Sequence, residues 1–239
     1  MTSRRGAGCP AGHPLRSVRF GVIRFPGSCD EVDAVLACER VPGASAQLLW
    51  HRDADLGGVD AVVVPGGFSY GDYLRVGAIA RFSPVMEAVI RFARDGGLVL
   101  GICNGFQVLC EAGLLPGALL PNLERRFICR QVNVEVVQAR FPFTADAAPG
   151  ERLSIPVKHT TGRYYAPPED LEALEARGQV LLRYAHDGNP NGSSNDIAGV
   201  SNAAGNVFGL MPHPEHAVDP LSGSIDGLKI FTSMAHAHG

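Results

Sequence analysis

Short apolar runs bounded by glycine, proline and polar turns set the rhythm of the first half of the chain. Val18–Phe25, Ala46–Trp50, Ala61–Val64 and Leu98–Leu100 are too continuously apolar to alternate, the pattern of parallel strands covered on both faces. Between them the period changes. Val32, Val35 and Leu36 recur at helical spacing, with Ser28 or Asp30 placed to cap the helix and Pro42-Gly43 to end it. Ser83-Pro84 opens a second helix whose Val85, Ala88, Val89 and Phe92 face inward, and Gly96-Gly97 closes it. A short third helix ends at Gly113. Beyond it the pattern is mixed. Phe127–Arg130 and Val132–Val137 read as two strands of a hairpin or meander, followed by strands at Ile155–His159 and Val180–Tyr184 around an acidic helix at Pro168–Ala176. Asn189–Ser193 reads as a turn, Ile197–Val200 and Val207–Met211 as strands, and Asp226–Ala235 as a closing helix. The expectation is an α/β fold with a mostly parallel central sheet flanked by helices, and additional mixed or antiparallel strands in the second half. Residues 1–17 are expected to be a flexible extension, and 18–239 a single domain.

Composition narrows the class. The chain has 239 residues, 46% of them apolar and 19% charged, with a formal net charge of −3. That is enough chain for a substantial core, and it carries no basic footprint for nucleic acid or an anionic membrane. No apolar run approaches the ~18 residues of a spanning helix, and Met1–Ser17 lacks the apolar core of a secretory signal. The six cysteines, at 9, 29, 38, 103, 110 and 129, form no metal-binding spacing. Reduced thiols and a cytoplasmic protein without a metal site are the expectation.

One stretch carries chemistry. Leu98–Leu100 runs into Gly101-Ile102-Cys103-Asn104-Gly105 and leaves as a helix. This is the strand–elbow–helix arrangement best known with serine at its centre. A sharp turn lifts residue 103 off the sheet edge, and the helix start places dipole and free N–H groups beside the sulfur. An ordinary thiol, with a pKa of about 8.5, is largely unreactive at neutral pH, so a nucleophilic Cys103 needs a base and the base an orienter. An inert buried thiol is the bland alternative, and the flanking glycines weigh against it.

His213 lies in Met211-Pro212-His213-Pro214-Glu215. Flanking prolines disfavour helix, so the segment is expected to be extended, with His213 and Glu215 on one side. Taken alone, a plain surface turn would fit equally well. Two backbone N–H groups would be needed for an oxyanion. Asn104, directly after the cysteine, is one candidate, and Gly67 or its neighbour Phe68, in the Gly66-Gly67 loop past the third strand, is the other.

Gly101-Ile102-Cys103-Asn104-Gly105-Phe106-Gln107 with Pro212-His213-Pro214-Glu215 resembles the class I (triad) glutamine amidotransferases. Within that class, Arg24-Phe25-Pro26-Gly27, the Gly66–Arg75 run, Gly113–Gly117, Asn189–Ser193 and Gly209–Glu215 resemble the glutaminase subunits of phosphoribosylformylglycinamidine synthase. The Gly66–Tyr73 run and the asparagine after the cysteine mark this branch. The resemblance implies a flavodoxin-like amidotransferase domain over 18–239, with Cys103, His213 and Glu215 catalytic and Gly66, Gly67, Phe68, Asn104 and Gln107 forming the oxyanion hole and substrate site. It also implies L-glutamine as substrate, and a large synthase subunit and a small bridging subunit as partners. ATP and Mg²⁺ would be used by the large subunit and no cofactor by this chain, which ends at Gly239 as a stand-alone glutaminase would. The rivals are a cysteine hydrolase or redox protein on a similar elbow, and an amidotransferase of another synthase. Two positions depart from the family pattern. His159-Thr160-Thr161-Gly162 stands where the family has His-Gly-Glu-Gly, and His216 stands where it has arginine.

Overall fold

The structure is a computed structural model describing residues 17–139, 142–186 and 188–238. Residues 1–16 of the expected N-terminal extension lie outside them. Helix α1 (Glu31–Glu39) lies between strands β1 (Val18–Arg24) and β2 (Ala44–Trp50), and helix α2 (Pro84–Arg94) between β3 (Ala61–Val64) and β4 (Leu98–Ile102). Helix α3 (Asn104–Glu111) follows β4 directly. The second half holds β5 (Ala118–Pro121), β6 (Ile128–Val136), β7 (Arg152–His159), β8 (Thr161–Tyr165), α4 (Pro168–Ala176), β9 (Val180–Tyr184), β10 (Ile197–Ser201), β11 (Val207–Leu210) and α5 (Leu228–His236). Among the described residues one sheet runs β2-β1-β3-β4-β11-β10-β9-β6-β7, and β5 pairs with β8 apart from it. Pairing is parallel from β2 through β11 and antiparallel from β11 to β7. The expected mixed α/β sheet is the one observed.

The central strands are buried along their whole length, β3 and β4 without a single exposed residue, as strands covered on both faces must be. Because β1, β3, β4 and β11 run the same way, their carboxyl ends share one edge, where an open α/β sheet binds ligands.

Three local expectations are corrected. Helix α1 buries Ala34, Ala37 and Cys38, leaving Val32 and Leu36 half-exposed at 54% and 53%. The helical period holds but the buried face is turned, because small side chains let the helix approach β1 and β2 closely. Asp30 occupies the N-cap position and its carbonyl accepts from Ala34 N–H, but its side chain makes no cap bond, and the Ser28 hydroxyl accepts from Phe25 N–H instead. The two strands expected between 127 and 137 are one, β6, with Gln131 in register opposite Pro156. An antiparallel strand with one wetter face tolerates such polar interruptions.

At the elbow Cys103 has φ 49° and ψ −102°, a conformation that costs an L-residue about 1–3 kcal/mol and persists only under tertiary constraint. The constraint is the close approach of α3 to β3: a Cβ on Gly105 would stand 1.8 Å from the Val64 carbonyl oxygen. Gly105→Ala is therefore expected to lower unfolding free energy in urea by at least about 2 kcal/mol, as overpacking against fixed backbone does. Gly96→Ala, where the added Cβ meets nothing within 4 Å, should cost only the ~1 kcal/mol of its left-handed φ.

Candidate active site

The amide of Cys103 donates to the Leu210 carbonyl at 2.8 Å, so the elbow is tied to the last residue of β11. Three residues further on stands His213, whose own amide donates to Pro156 O on β7 at 2.8 Å. Cys103 and His213 line one pocket of about 110 Å³ together with Cys29, Asp30, Gly67, Phe68, Asp72, Gln107, Lys158, His159 and Thr161. At one water per ~10–15 Å³ of such volume, the pocket has room for an amino-acid-sized ligand and not for a macromolecule.

The expected His213–Glu215 pair forms, on a different backbone. Pro214–His216 is a single 3-10 turn rather than an extended segment. Pro214 begins the turn, as proline's fixed φ allows, and His216 N–H donates to His213 O at 3.2 Å. The turn brings His213 Nδ1 to 2.6 Å from Glu215 Oε1, which assigns the ring proton to Nδ1. Nε2 is buried and finds no hydrogen-bond partner among the described residues. Burial opposes charge on this ring, and the Glu215 carboxylate and Cys103 sulfur overcome it, raising the imidazole well above the ordinary histidine range.

The glycine loop past β3 sorts its own donors. Phe68 N–H donates to the Gly27 carbonyl at 2.8 Å, which takes this amide out of the oxyanion candidates, while Phe68 itself lines the pocket. The Gly67 and Asn104 amides remain as the oxyanion candidates. Gly66 contributes space: a Cβ there would lie 2.3 Å from Asp30 Oδ2 and 2.8 Å from His213 Cε1. The Asn104 side chain is a bracket. Its Oδ1 accepts from Ser69 N–H at 3.1 Å and its Nδ2 donates to Gln107 Oε1 at 3.0 Å. Gln107 in turn donates to Thr161 O at 2.6 Å, so the atypical Thr161 joins the site through its backbone.

Residues not singled out as site residues from the sequence complete the wall. Asp30, read as a helix cap, turns inward and accepts from Lys158 Nζ at 2.5 Å. His216 Nε2 lies 2.9 Å from Lys158 Nζ and 3.3 Å from Asp30 Oδ1. His159 is buried beside Asn122 and Asn191, and burial, with the nearby His213 charge, lowers it to about 4. Burial raises the Asp72 carboxyl to about 6. The signal for Asp30 was its place just past β1, on the ligand-binding edge. Lys158 left none, since a lysine in a half-exposed strand is ordinary. Asp30, His213, Glu215 and His216 converge within 4.8 Å, as metal ligands can, but the Lys158 ammonium already supplies a cation at Asp30 and His216.

Residues 17–232 match the family described as CobB/CobQ-like glutamine amidotransferase domain. A phosphoribosylformylglycinamidine synthase subunit PurQ from Rubrobacter xylanophilus is 60% identical over 217 residues, 91% of this chain and 97% of that protein. The PurQ subunit of Salinibacter ruber is 56% identical over 225 residues, covering 91% and 96%. A chain of the solved PurLQS structure from Thermotoga maritima superposes with a TM-score of 0.85 at 42% identity, covering 93% of this chain and all (100%) of that one. A glutamine amidotransferase from Thermotoga maritima, 17% identical with a TM-score of 0.60 over 93% and 98% of the two chains, shares the fold. The chain belongs to the CobB/CobQ-like glutamine amidotransferase family, in the branch of the PurQ subunits of phosphoribosylformylglycinamidine synthase.

Proposed function

We propose that this chain is the glutaminase of a phosphoribosylformylglycinamidine synthase, with Cys103 as nucleophile, His213 as acid and base, and Glu215 as its orienter. The observation that carries the reading is the shared pocket of Cys103 and His213, with the far nitrogen of that ring held by Glu215. The Cys103 sulfur attacks the side-chain amide carbon of glutamine, and the Gly67 and Asn104 N–H groups receive the developing oxyanion. His213 Nε2 gives its proton to the departing ammonia, leaving a glutamyl thioester. The neutral ring then takes a proton from water, whose hydroxide displaces the sulfur and releases glutamate. One glutamine and one water become one glutamate and one ammonia.

Ammonia passes to the large synthase subunit, which spends ATP with Mg²⁺ on formylglycinamide ribonucleotide to make the amidine in purine synthesis, and a small third subunit bridges the two. The pocket rim supports a covered assembly. Phe68 and Phe127 in the pocket lining, and Tyr73 and Leu74 in the segment between its Asp72 and Val76, are exposed at 53%, 55%, 73% and 95%, apolar surface of the kind that marks a protein interface. Arg75 is engaged within the chain by a two-pronged pair to Glu111, so the apolar residues, not its charge, are assigned the contact. No helix among the described residues is long and apolar enough to cross a membrane, and a cytoplasmic site of action fits this reading.

Treatment with 6-diazo-5-oxo-norleucine should label Cys103 alone, read by peptide mass mapping; a label on Cys29 instead would reject the assignment. Cys103→Ser should lose glutamine hydrolysis, and Glu215→Gln should lower kcat by roughly 10²–10⁴ with little change in KM, as removing a base's orienter does. The isolated chain should hydrolyse glutamine more slowly than the assembled complex. Leu74→Asp should weaken binding to the synthase subunits at least ~10-fold by calorimetry, the loss of one anchor buried in an interface.

A further inference from the structure

Asp30 stands against the His213 ring in the pocket wall. It is 3% exposed, and its two oxygens do different things. Oδ1 accepts from Lys158 Nζ at 2.5 Å and lies 3.3 Å from His216 Nε2, whereas Oδ2 faces His213 Nδ1 at 3.6 Å. The latter is too long for a hydrogen bond, and the Nδ1 proton already belongs to Glu215 at 2.6 Å. Asp30 therefore acts on the ring through its field. Gly66 makes the arrangement possible, since any side chain there would collide with both Asp30 Oδ2 and the imidazole.

We infer that Asp30 and Lys158 are positioning residues that set the proton affinity of the His213 base, Asp30 holding the charged ring and Lys158 limiting that hold. This rests on the reading of His213 as the base of Cys103. Two bare carboxylates on one imidazolium would hold its proton too firmly to release it to ammonia. Lys158 offsets one of them, and its ammonium is about one-third exposed at the pocket wall. Burial works against the charge on both partners, and the pair prevails. The Asp30 carboxyl is held below the ordinary carboxylate range by His216, His213 and Lys158, and the Lys158 ammonium is held above its ordinary range by Asp30, Glu215 and Cys103. The other groups facing the ring are Glu215 and His216 from its own turn, His159 from β7, and Cys103 from the elbow.

The test follows the His213 ring by ¹⁵N-histidine NMR in the full chain carrying Cys103→Ala, which removes the sulfur's own titration. Asp30→Asn takes away a negative charge and should move the His213 midpoint down by about one pH unit or more, as a unit charge ~4 Å away in a partly dry site does. Lys158→Met uncovers Asp30 and should move it up, and Lys158→Arg should restore it. With Cys103 present, both Asp30→Asn and Lys158→Met should lower kcat about 10-fold or more with KM within about threefold, as loss of a residue that acts through the base rather than by binding substrate does. Midpoints that stay put, or that shift the same way in both variants, would overturn the inference even where melting temperatures fall. Failure of the unsubstituted chain to take the diazo-oxo-norleucine label at Cys103 would instead sink the underlying reading, so the two failures are distinguishable.

Discussion

The site depends on the parallel pairing of β4 with β11. These strands are 108 residues apart in register, Leu210 opposite Ile102, and nothing local joins them. Once they are side by side and pointing the same way, both carboxyl ends open on the same edge, and the Cys103 amide closes on the Leu210 carbonyl. Cys103 is then one residue past its strand and His213 three residues past its own. A slip of one residue in this pairing would turn every side chain of β11 to the other face, and the register is held by strands buried along their whole length. The pairing thus converts a feature of the core into the meeting of Cys103 and His213 in one pocket.

That geometry places charge where water is scarce. Glu215, Asp30 and His213 are all nearly buried and Lys158 half-buried, and buried ions stabilise a fold poorly unless each is paired and hydrogen-bonded. Here the pairings are mutual: Glu215 to His213, Asp30 to Lys158, with His216 between the last two. The turn at Pro214–His216 supplies three of the participants from four consecutive residues, counting His213, and β7 supplies Lys158 while anchoring His213 by its backbone. The arrangement is better understood as tuning a proton transfer than as holding the fold together.

How much of this the sequence disclosed depends on range. The strand ends, the elbow and the His-Pro-Glu base were legible because each is announced by neighbours: a buried apolar run, paired glycines, flanking prolines. The outcome for Glu215 was right although the backbone expected for it was not, since an extended segment and a 3-10 turn both bring residues two apart to the same ring. The apolar face of α1 was misplaced because large residues were assumed to be inside, whereas the sheet accepted only Ala34, Ala37 and Cys38. Lys158 was invisible because its meaning lies in partners 128 and 58 positions away, and the Phe68 amide was over-read as an oxyanion donor because the Gly27 carbonyl uses it.

Asn104 joins two motifs that look independent in the sequence. One is the Gly66–Tyr73 run and the other is the residue after the nucleophile. In the loop, Tyr70, Asp72 and Leu74 hold φ values of 55°, 54° and 70°, a concentration of left-handed backbone that non-glycine residues sustain only when surroundings impose it. Tyr70 is pinned through its hydroxyl to His51 and Ser83 at 2.7 and 2.8 Å, and Ser69 by its N–H to Asn104 Oδ1. Asn104 reaches the loop again at Asp72 Oδ1, at 3.5 Å, and reaches Thr161 through Gln107. A different side chain at 104 would free the strained loop from the elbow and leave the Ser69 amide buried without its acceptor. The Gly67 and Asn104 amides would then lose their fixed separation, which any shared oxyanion requires. The two motifs are one mechanical unit, written in two places because its halves belong to two different strand ends.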